Sequence, residues 1–521
     1  MNKFTKYLGL FIVLAIFYFV LRLYHLTNLP IFTDESIYIR WAQIGLGDPM
    51  YRFLSLTDGK QPLFIWIMYP FLKIFHDPLV GGRMVSVFTG FFTMLGLGLV
   101  SFTLFKKRSW ALFTMALYIA YPFAQVMDRM ALYDSMVAMF FIWSVYASLM
   151  LIKSMRLTDA YNLGFILGAE NLTKLPVFFS ILLLPITLIL FDFRQKHWRR
   201  ELLKWFGFTA LSVVISQVMY FVVKLSPLPN VTNEKNNTFY YPISEWIHHP
   251  FQFFIGNFQG MTASLLGYLT IPYILLVLVA LFYLKKNFKE KVMLLIYFLL
   301  PYIGFALIGK EIFARYVFFM SLPLILLAGW GLGYLIDLII KYWHIKAQMR
   351  FVTAGFIAII FLLYPLYVCL SFAANPIAAP IPQSDKTQYV TAWTSGWGLK
   401  DAVTYLQNQA QSGPIYVATE GTFGLYPQGI ELYLSKNPNV SIKGYYWEIT
   451  KDFPKDLVEK AKTMPTYFIF YQPCPGGFCD RPGDAPAGWP VRVVQTYTHP
   501  NTQTRVVIYQ VEEGTLNENI K

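Results

Sequence analysis

Long apolar runs alternate with short charged breaks over the first 375 positions. The runs at about 8–26, 84–105, 110–127, 133–152, 160–172, 175–192, 203–225, 263–284, 291–308, 316–338 and 351–373 read as helices. About 20 apolar residues in a helix cross the roughly 30 Å hydrocarbon layer of a bilayer, so the pattern predicts a polytopic α-helical membrane protein with about 11 transmembrane helices. The run at 160–172 is short, but omitting it would invert the sidedness of every later basic cluster. Two connections are long. Residues 27–83 hold an amphipathic stretch from Ile37 to Leu46 and an apolar one from Pro62 to Phe75, too short to span comfortably and therefore interfacial or re-entrant. Residues 226–262 carry the aromatic run Phe251 to Phe258, a second predicted interfacial helix. Beyond 375 the pattern becomes polar and turn-rich, with a helix predicted over 398–409 and strands over 414–419, 466–471, 491–498 and 504–511. Residues 1–375 thus form the transmembrane region, and 376–521 a small C-terminal extracytoplasmic α/β domain.

Composition strengthens this picture. Of 521 residues, 56% are hydrophobic and 14% charged, against about 25% charged in a soluble domain. The net charge of +14 is not gathered on a soluble face, which argues against nucleic acid as a partner. It punctuates the spans at Lys106-Lys107-Arg108, Lys153 with Arg156, Arg194 to Arg200, Lys285 to Lys291 and Lys341 to Arg350. The positive-inside bias puts these clusters and the amino terminus in the cytoplasm of a cell that carries the chain in its plasma membrane, and the carboxyl-terminal domain outside. The first span follows Lys3 and Lys6 and lacks a small-residue cleavage site, so it reads as an uncleaved anchor. Cys369 lies in an apolar run as packing. Cys474 and Cys479, in Cys-Pro-Gly-Gly-Phe-Cys, either close a short disulfide loop or stay as two thiols.

On this topology the polar residues of the outer loops draw together. Asp34 and Glu35 follow the first span and are the candidate catalytic carboxylates; Lys60 lies in the same loop and Arg83 opens the second span. Asp128, Arg129 and Asp134 sit in one turn, Glu170 and Lys174 in another, and Lys310, Glu311, Arg315 and Tyr316 in a third. His248 and His249, in the second long loop beside Pro250, suit interfacial loop residues or, as the alternative, ligands of a divalent metal, although the chemistry requires no cofactor. Each residue also has a structural reading. Asp34 suits a helix cap within Thr33-Asp34-Glu35-Ser36; Glu170 and Lys174 have the spacing of an i, i+4 pair; Arg129 is placed to bridge Asp128 or Asp134; Lys60, Arg83 and Arg315 suit snorkelling at span ends. Carboxylates and cations at one membrane face suit transfer of a group from a lipid phosphate. A carboxylate takes a proton from the incoming hydroxyl while the cations hold the departing phosphate. No nucleotide-binding loop is present. Two rivals are a transporter or flippase of a lipid-linked sugar, which calls for polar lining at mid-membrane, and a sensor of cell-wall lipid.

Six stretches also resemble one family: Phe32-Thr33-Asp34-Glu35-Ser36-Ile37-Tyr38, Lys60-Gln61-Pro62-Leu63, Gly82-Arg83, Arg129-Met130-Ala131-Leu132-Tyr133-Asp134, Leu172-Thr173-Lys174-Leu175-Pro176 and Arg315-Tyr316. In this order they resemble GT-C type membrane glycosyltransferases, in the branch of protein O-mannosyltransferases and lipid A aminoarabinose transferases. The resemblance implies an inverting enzyme that takes a sugar from a polyprenyl-phosphate donor on the extracytoplasmic side and gives it to a glycan, lipid or protein acceptor. It implies Asp34 as base, Lys60, Lys174 and Arg315 near the donor phosphate, and Asp134 as a second acidic position. The chain departs from the family at Gln61, where Pro is frequent, and at Leu175, where Gly is frequent.

Overall fold

The computed structural model describes residues 3–174, 176–446, 453–472, 489–500 and 504–513. Cys474 and Cys479 lie outside the described residues. The helices in chain order are α1 Lys3–Leu23, α2 Thr33–Gly47, α3 Leu63–Ile74, α4 Pro78–Phe105, α5 Arg108–Ile119, α6 Pro122–Met127, α7 Tyr133–Ser154, α8 Leu157–Asn171, α9 Val177–Leu183 and α10 Trp198–Tyr220. They continue with α11 Thr232–Phe239, α12 Ile243–His248, α13 Phe254–Phe282, α14 Phe288–Ile308, α15 Phe318–Tyr342, α16 Arg350–Ala374, α17 Gln383–Lys386, α18 Leu399–Ala410, α19 Leu425–Leu434 and α20 Lys455–Ala461.

The chain divides into two compact units. One comprises 1–26, 48–68 and 83–382; the other comprises 27–47, 69–82 and 383–521. Among the described residues of the chain, eight helical segments are long and apolar enough to cross a membrane: 5–23, 78–105, 133–154, 198–225, 254–282, 288–308, 314–342 and 350–374. The remaining three predicted spans are helical but shorter or broken. The run at 110–127 is split between α5 and α6 because Pro122 cannot donate to the preceding turn. The run at 175–192 is α9 followed by a 3₁₀ segment, Leu184–Leu190, with Pro185 near its start. The run at 160–172 is the end of α8. The run from Phe251 to Phe258 is helical from Phe254, in the first of two helical stretches that make up α13 and meet at a break at Thr270, two residues before Pro272.

The second unit carries a five-stranded sheet of β1 Ile415–Glu420, β2 Val440–Tyr445, β3 Thr466–Gln472, β4 Val491–Thr498 and β5 Arg505–Val511, in the order β2-β1-β3-β5-β4. β1 is parallel to β2 and β3, while β5 is antiparallel to β3 and β4. Phe468, Phe470, Val507 and Tyr509 make its core with Leu457 and Val458 of α20. Four strands and α18 fall where the alternation predicted them. β2, α19 and α20 were not predicted. The edge strand β2 buries only Tyr445 and alternates apolar with polar over just Val440-Ser441-Ile442-Lys443 before Gly444 interrupts it, and α19 contains Pro427 and Gly429, which read as turn residues.

The same unit includes α2, which lies against α19. Arg40 pairs with Glu431 at 2.9 Å and donates to Ser435 Oγ, Gln43 donates to the Leu432 carbonyl, and Ser36 Oγ donates to the Gly424 carbonyl at 3.3 Å. Upstream, the Thr33 amide donates to the Thr394 carbonyl and the Gly396 amide to the Ile31 carbonyl. The first loop is thus fastened to chain more than 360 residues away.

Candidate active site

In the helical unit, four separate connections bring their charges to one place. Asp134 sits in the first turn of α7, where the helix dipole favours an acid, and is buried. Its Oδ1 accepts from Lys174 Nζ at 2.8 Å, and its Oδ2 lies 4.0 Å from Arg315 Nε. Lys174 follows α8, and its ammonium stands 4.5 Å above the Tyr316 ring. Arg315 lies in a 3₁₀ turn, Ala314–Val317, with its guanidinium 4.7 Å from the Phe313 ring. The i, i+4 pair expected between Glu170 and Lys174 does not form. Glu170 turns into the bundle, where Ser180 Oγ donates to it at 2.7 Å, leaving Lys174 for Asp134.

Lys60 joins from the first loop and is close enough to repel the Lys174 charge. A 3₁₀ turn at Leu54–Asp58 ends at Gly59, whose φ of 73° favours glycine and whose Cβ would lie 2.8 Å from Lys235 Cβ. Gln61 holds the next position: Tyr133 Oη donates to its carbonyl, and its amide donates to Tyr220 Oη. The Gln61 side chain thus makes a bond that a proline at this position could not make. The Lys60 ammonium is 5.3 Å from the Phe239 ring. Phe239 and Tyr240 belong to the second long loop, fastened where the Lys310 amide donates to the Phe239 carbonyl and Tyr240 bridges Gly309. Burial, reinforced by Tyr316 and Asp134, pushes the Tyr240 hydroxyl pKa up. The sequence reading missed Tyr240; an aromatic between two site loops has no signature of its own.

Burial, more than the nearby Arg315 and Lys60, holds the Lys174 ammonium pKa below the ordinary lysine value, against the opposing pull of Asp134. Two cations at one carboxylate, with Lys60 adding to the repulsion felt by Lys174, leave an excess of positive charge, which suits an oxyanion ligand.

Arg83 and Arg129 come together elsewhere, around the end of α1. Arg129 donates to the carbonyls of Leu21, Arg22, Tyr24 and His25 at 2.7–3.2 Å, and Arg83 to that of Leu26 at 2.7 Å. Leu21 and Arg22 lie in the last turn of α1, whose carbonyls lack intrahelical donors, and the others in the turn that follows; the bridge from Arg129 to Asp128 or Asp134 does not form. Asp128 instead pairs with Arg22 at 3.1 Å and accepts from Tyr18, Tyr118 and Ser135. Both members of that pair are fully buried. Gly90 is what lets α4 approach: a Cβ there would lie 2.3 Å from Asp128 Cγ and Tyr18 Oη.

In the other unit, Asp34 lies in the first turn of α2, where Tyr38 Oη reaches its Oδ2 at 3.4 Å. The capping bond falls to Glu35, whose carboxylate is fully buried and accepts the Phe32 amide at 2.9 Å. His248 and His249 are both exposed at the end of α12. Among the described residues no three His, Cys, Asp or Glu side chains come close enough to hold a metal ion.

A bundle of apolar helices with charged loops gathered at one end, joined to a small α/β unit, is the architecture of GT-C membrane glycosyltransferases, and the chain has that fold. Residues 59–221, which hold Lys60, Arg83, Arg129, Asp134 and Lys174, match the family model of dolichyl-phosphate-mannose-protein mannosyltransferase. Along its whole length the chain is similar to crystal structures of ArnT from Cupriavidus metallidurans. The apo form gives a TM-score of 0.59 at 15% identity, covering 97% of this chain and 98% of that one. The form bound to undecaprenyl phosphate gives 0.57 at 15% identity with the same coverage. A sequence comparison with curated proteins finds no match.

Proposed function

We propose that the chain is an inverting glycosyltransferase that moves a sugar from a polyprenyl-phosphate donor to an acceptor hydroxyl on the extracytoplasmic face. The observation that carries the reading is the meeting of Lys174 and Arg315, from separate connections, at Asp134, with Lys60 adding a weaker repulsion to the Lys174 charge. The related fold of ArnT, crystallised with undecaprenyl phosphate, supports a lipid phosphate as the anion those cations receive. The family resemblance assigns the base to Asp34. The acceptor oxygen, losing its proton to Asp34, attacks the anomeric carbon as the bond to the phosphate oxygen breaks. The leaving polyprenyl phosphate carries the electron pair away, and the cations offset the charge that develops on it.

Incubating the detergent-purified protein with a labelled polyprenyl-phosphate sugar and candidate acceptors tests this directly. Release of polyprenyl phosphate with sugar on the acceptor is expected; donor binding without turnover would instead identify a transporter or sensor.

Two predictions concern the cations. A hydrogen bond to a charged group is worth about 1.5–3 kcal/mol, so Arg315→Glu should weaken donor binding at least about 10-fold. Equal donor affinity in that variant would remove Arg315 from the site. Only the ammonium form of Lys174 attracts phosphate, so its contribution to donor affinity is present below its lowered pKa and lost as pH rises through it. Lys174→Arg stays charged over that range. Its donor affinity, measured as Kd against pH, should therefore persist to higher pH than the parent's; coincident curves would contradict the assignment.

A further inference from the structure

At the Lys6 end of the helical unit, α1, α5 and α16 leave a cavity of about 320 Å³ between them. Its walls are apolar: Leu10 and Leu14 from α1, Phe113 and Ala116 from α5, Gly355 and Ala358 from α16. The opening exists because α16 presents small residues here, and a Cβ at Gly355 would meet nothing within 4 Å. Lys6 stands at the rim with its ammonium 4.1 Å above the Phe351 ring, and Arg108 lies 6.0 Å from the Tyr7 ring. Neighbouring Lys107 is neutralised by Asp337, but among the described residues no carboxylate pairs with Lys6 or Arg108. An apolar slot whose mouth carries two cations without acidic partners has the charge and polarity of an anionic lipid reversed.

This rim lies far from the candidate active site. Arg22 is sixteen residues further along α1, roughly 24 Å at 1.5 Å per residue, and it pairs with Asp128 in the turn that leads to Asp134. The two cationic places therefore stand near opposite ends of the helices. A lipid whose phosphate sits at Lys6 belongs to the other leaflet from one whose phosphate sits at Lys174.

We propose that this slot binds an anionic phospholipid, one acyl chain between α1, α5 and α16 and its phosphate between Lys6 and Arg108, as a site separate from that of the glycosyl donor. Each basic residue near an anionic headgroup is worth about fivefold in affinity. Full-length protein, stripped of lipid in detergent, is titrated with phosphatidylglycerol and with phosphatidylcholine of the same chains, and bound lipid is read by native mass spectrometry. Phosphatidylglycerol should bind more than about tenfold tighter than phosphatidylcholine. In K6Q/R108Q, which leaves the apolar walls intact, that preference should vanish while phosphatidylcholine binding is unchanged. Gly355→Phe should fill the slot and abolish retention of both lipids, leaving binding of polyprenyl phosphate as in the parent. Equal affinities in the parent, a preference that survives in K6Q/R108Q, or loss of polyprenyl phosphate in a folded Gly355→Phe protein would each overturn the proposal.

Discussion

Asp34→Asn should lower sugar transfer about 10²–10⁴-fold, the range expected when a general base is lost, while donor binding stays near the parent value. Asparagine keeps the shape of the side chain, and the bonds from Ser36, Arg40 and Gln43 that fasten α2 are untouched. The measurement is single-turnover transfer together with donor Kd. Parental transfer in Asp34→Asn would leave Asp34 as a local structural residue, and loss of donor binding would give it another role. The neighbouring acid provides a control with a different signature. Because Glu35 is buried and accepts the Phe32 amide, Glu35→Gln should spare the chemistry more than Asp34→Asn and show its main effect on thermal stability. The two adjacent carboxylates, equivalent in the sequence, are thus separable by what each variant loses.

The second large effect concerns stability. Asp128→Ala should destabilise the protein by about 3–5 kcal/mol, because it leaves Arg22 as an uncompensated buried charge. Tyr18, Tyr118 and Ser135 would lose their acceptor at the same time. Replacing both charges, as in Arg22→Met with Asp128→Leu, removes the stranded ion and should recover much of that loss. Unfolding in detergent followed by temperature or denaturant checks this. If the double variant were as unstable as Asp128→Ala, packing around the site rather than the buried charge would be the cause. Asp128 lies in the same turn as Asp134, so a loosened Asp128→Ala protein should also bind donor less well; the double variant separates position from charge.

The helices were legible because a hydrocarbon layer imposes long apolar runs, and Lys60, Lys174 and Arg315 because lysine and arginine stand out in the connections between those runs. What escaped the sequence depends on backbone groups or distant partners. Arg83 and Arg129 read as ligands for substrate, and among the bonds they make are several to carbonyls at and just beyond the end of α1; a carbonyl has no residue type to mark it in a sequence. Arg22, buried within an apolar span, was the available warning of an internal partner, but nothing in sequence identifies that partner as Asp128. Pairing of Glu170 with Lys174 followed the helical rule, and failed because α8 ends at Asn171 and the chain turns before Lys174. β2 was hidden because its alternation lasts only four residues before Gly444, and α19 by its internal Pro and Gly. The packing of α2 on α19 was beyond any local pattern, since it joins positions nearly 390 residues apart.

That last contact has a consequence for how the molecule is made. When α2 leaves the ribosome, α19 and the sheet behind it have not been synthesised, and the bonds from Gln43 and Arg40 have nowhere to go. The helix carrying both acids must wait, half assembled, until nearly the whole polypeptide exists, so its final conformation is acquired after translation rather than during it. A chain halted after the last apolar helix would hold the cluster of Asp134, Lys174 and Arg315 and still lack the completed seat for Asp34.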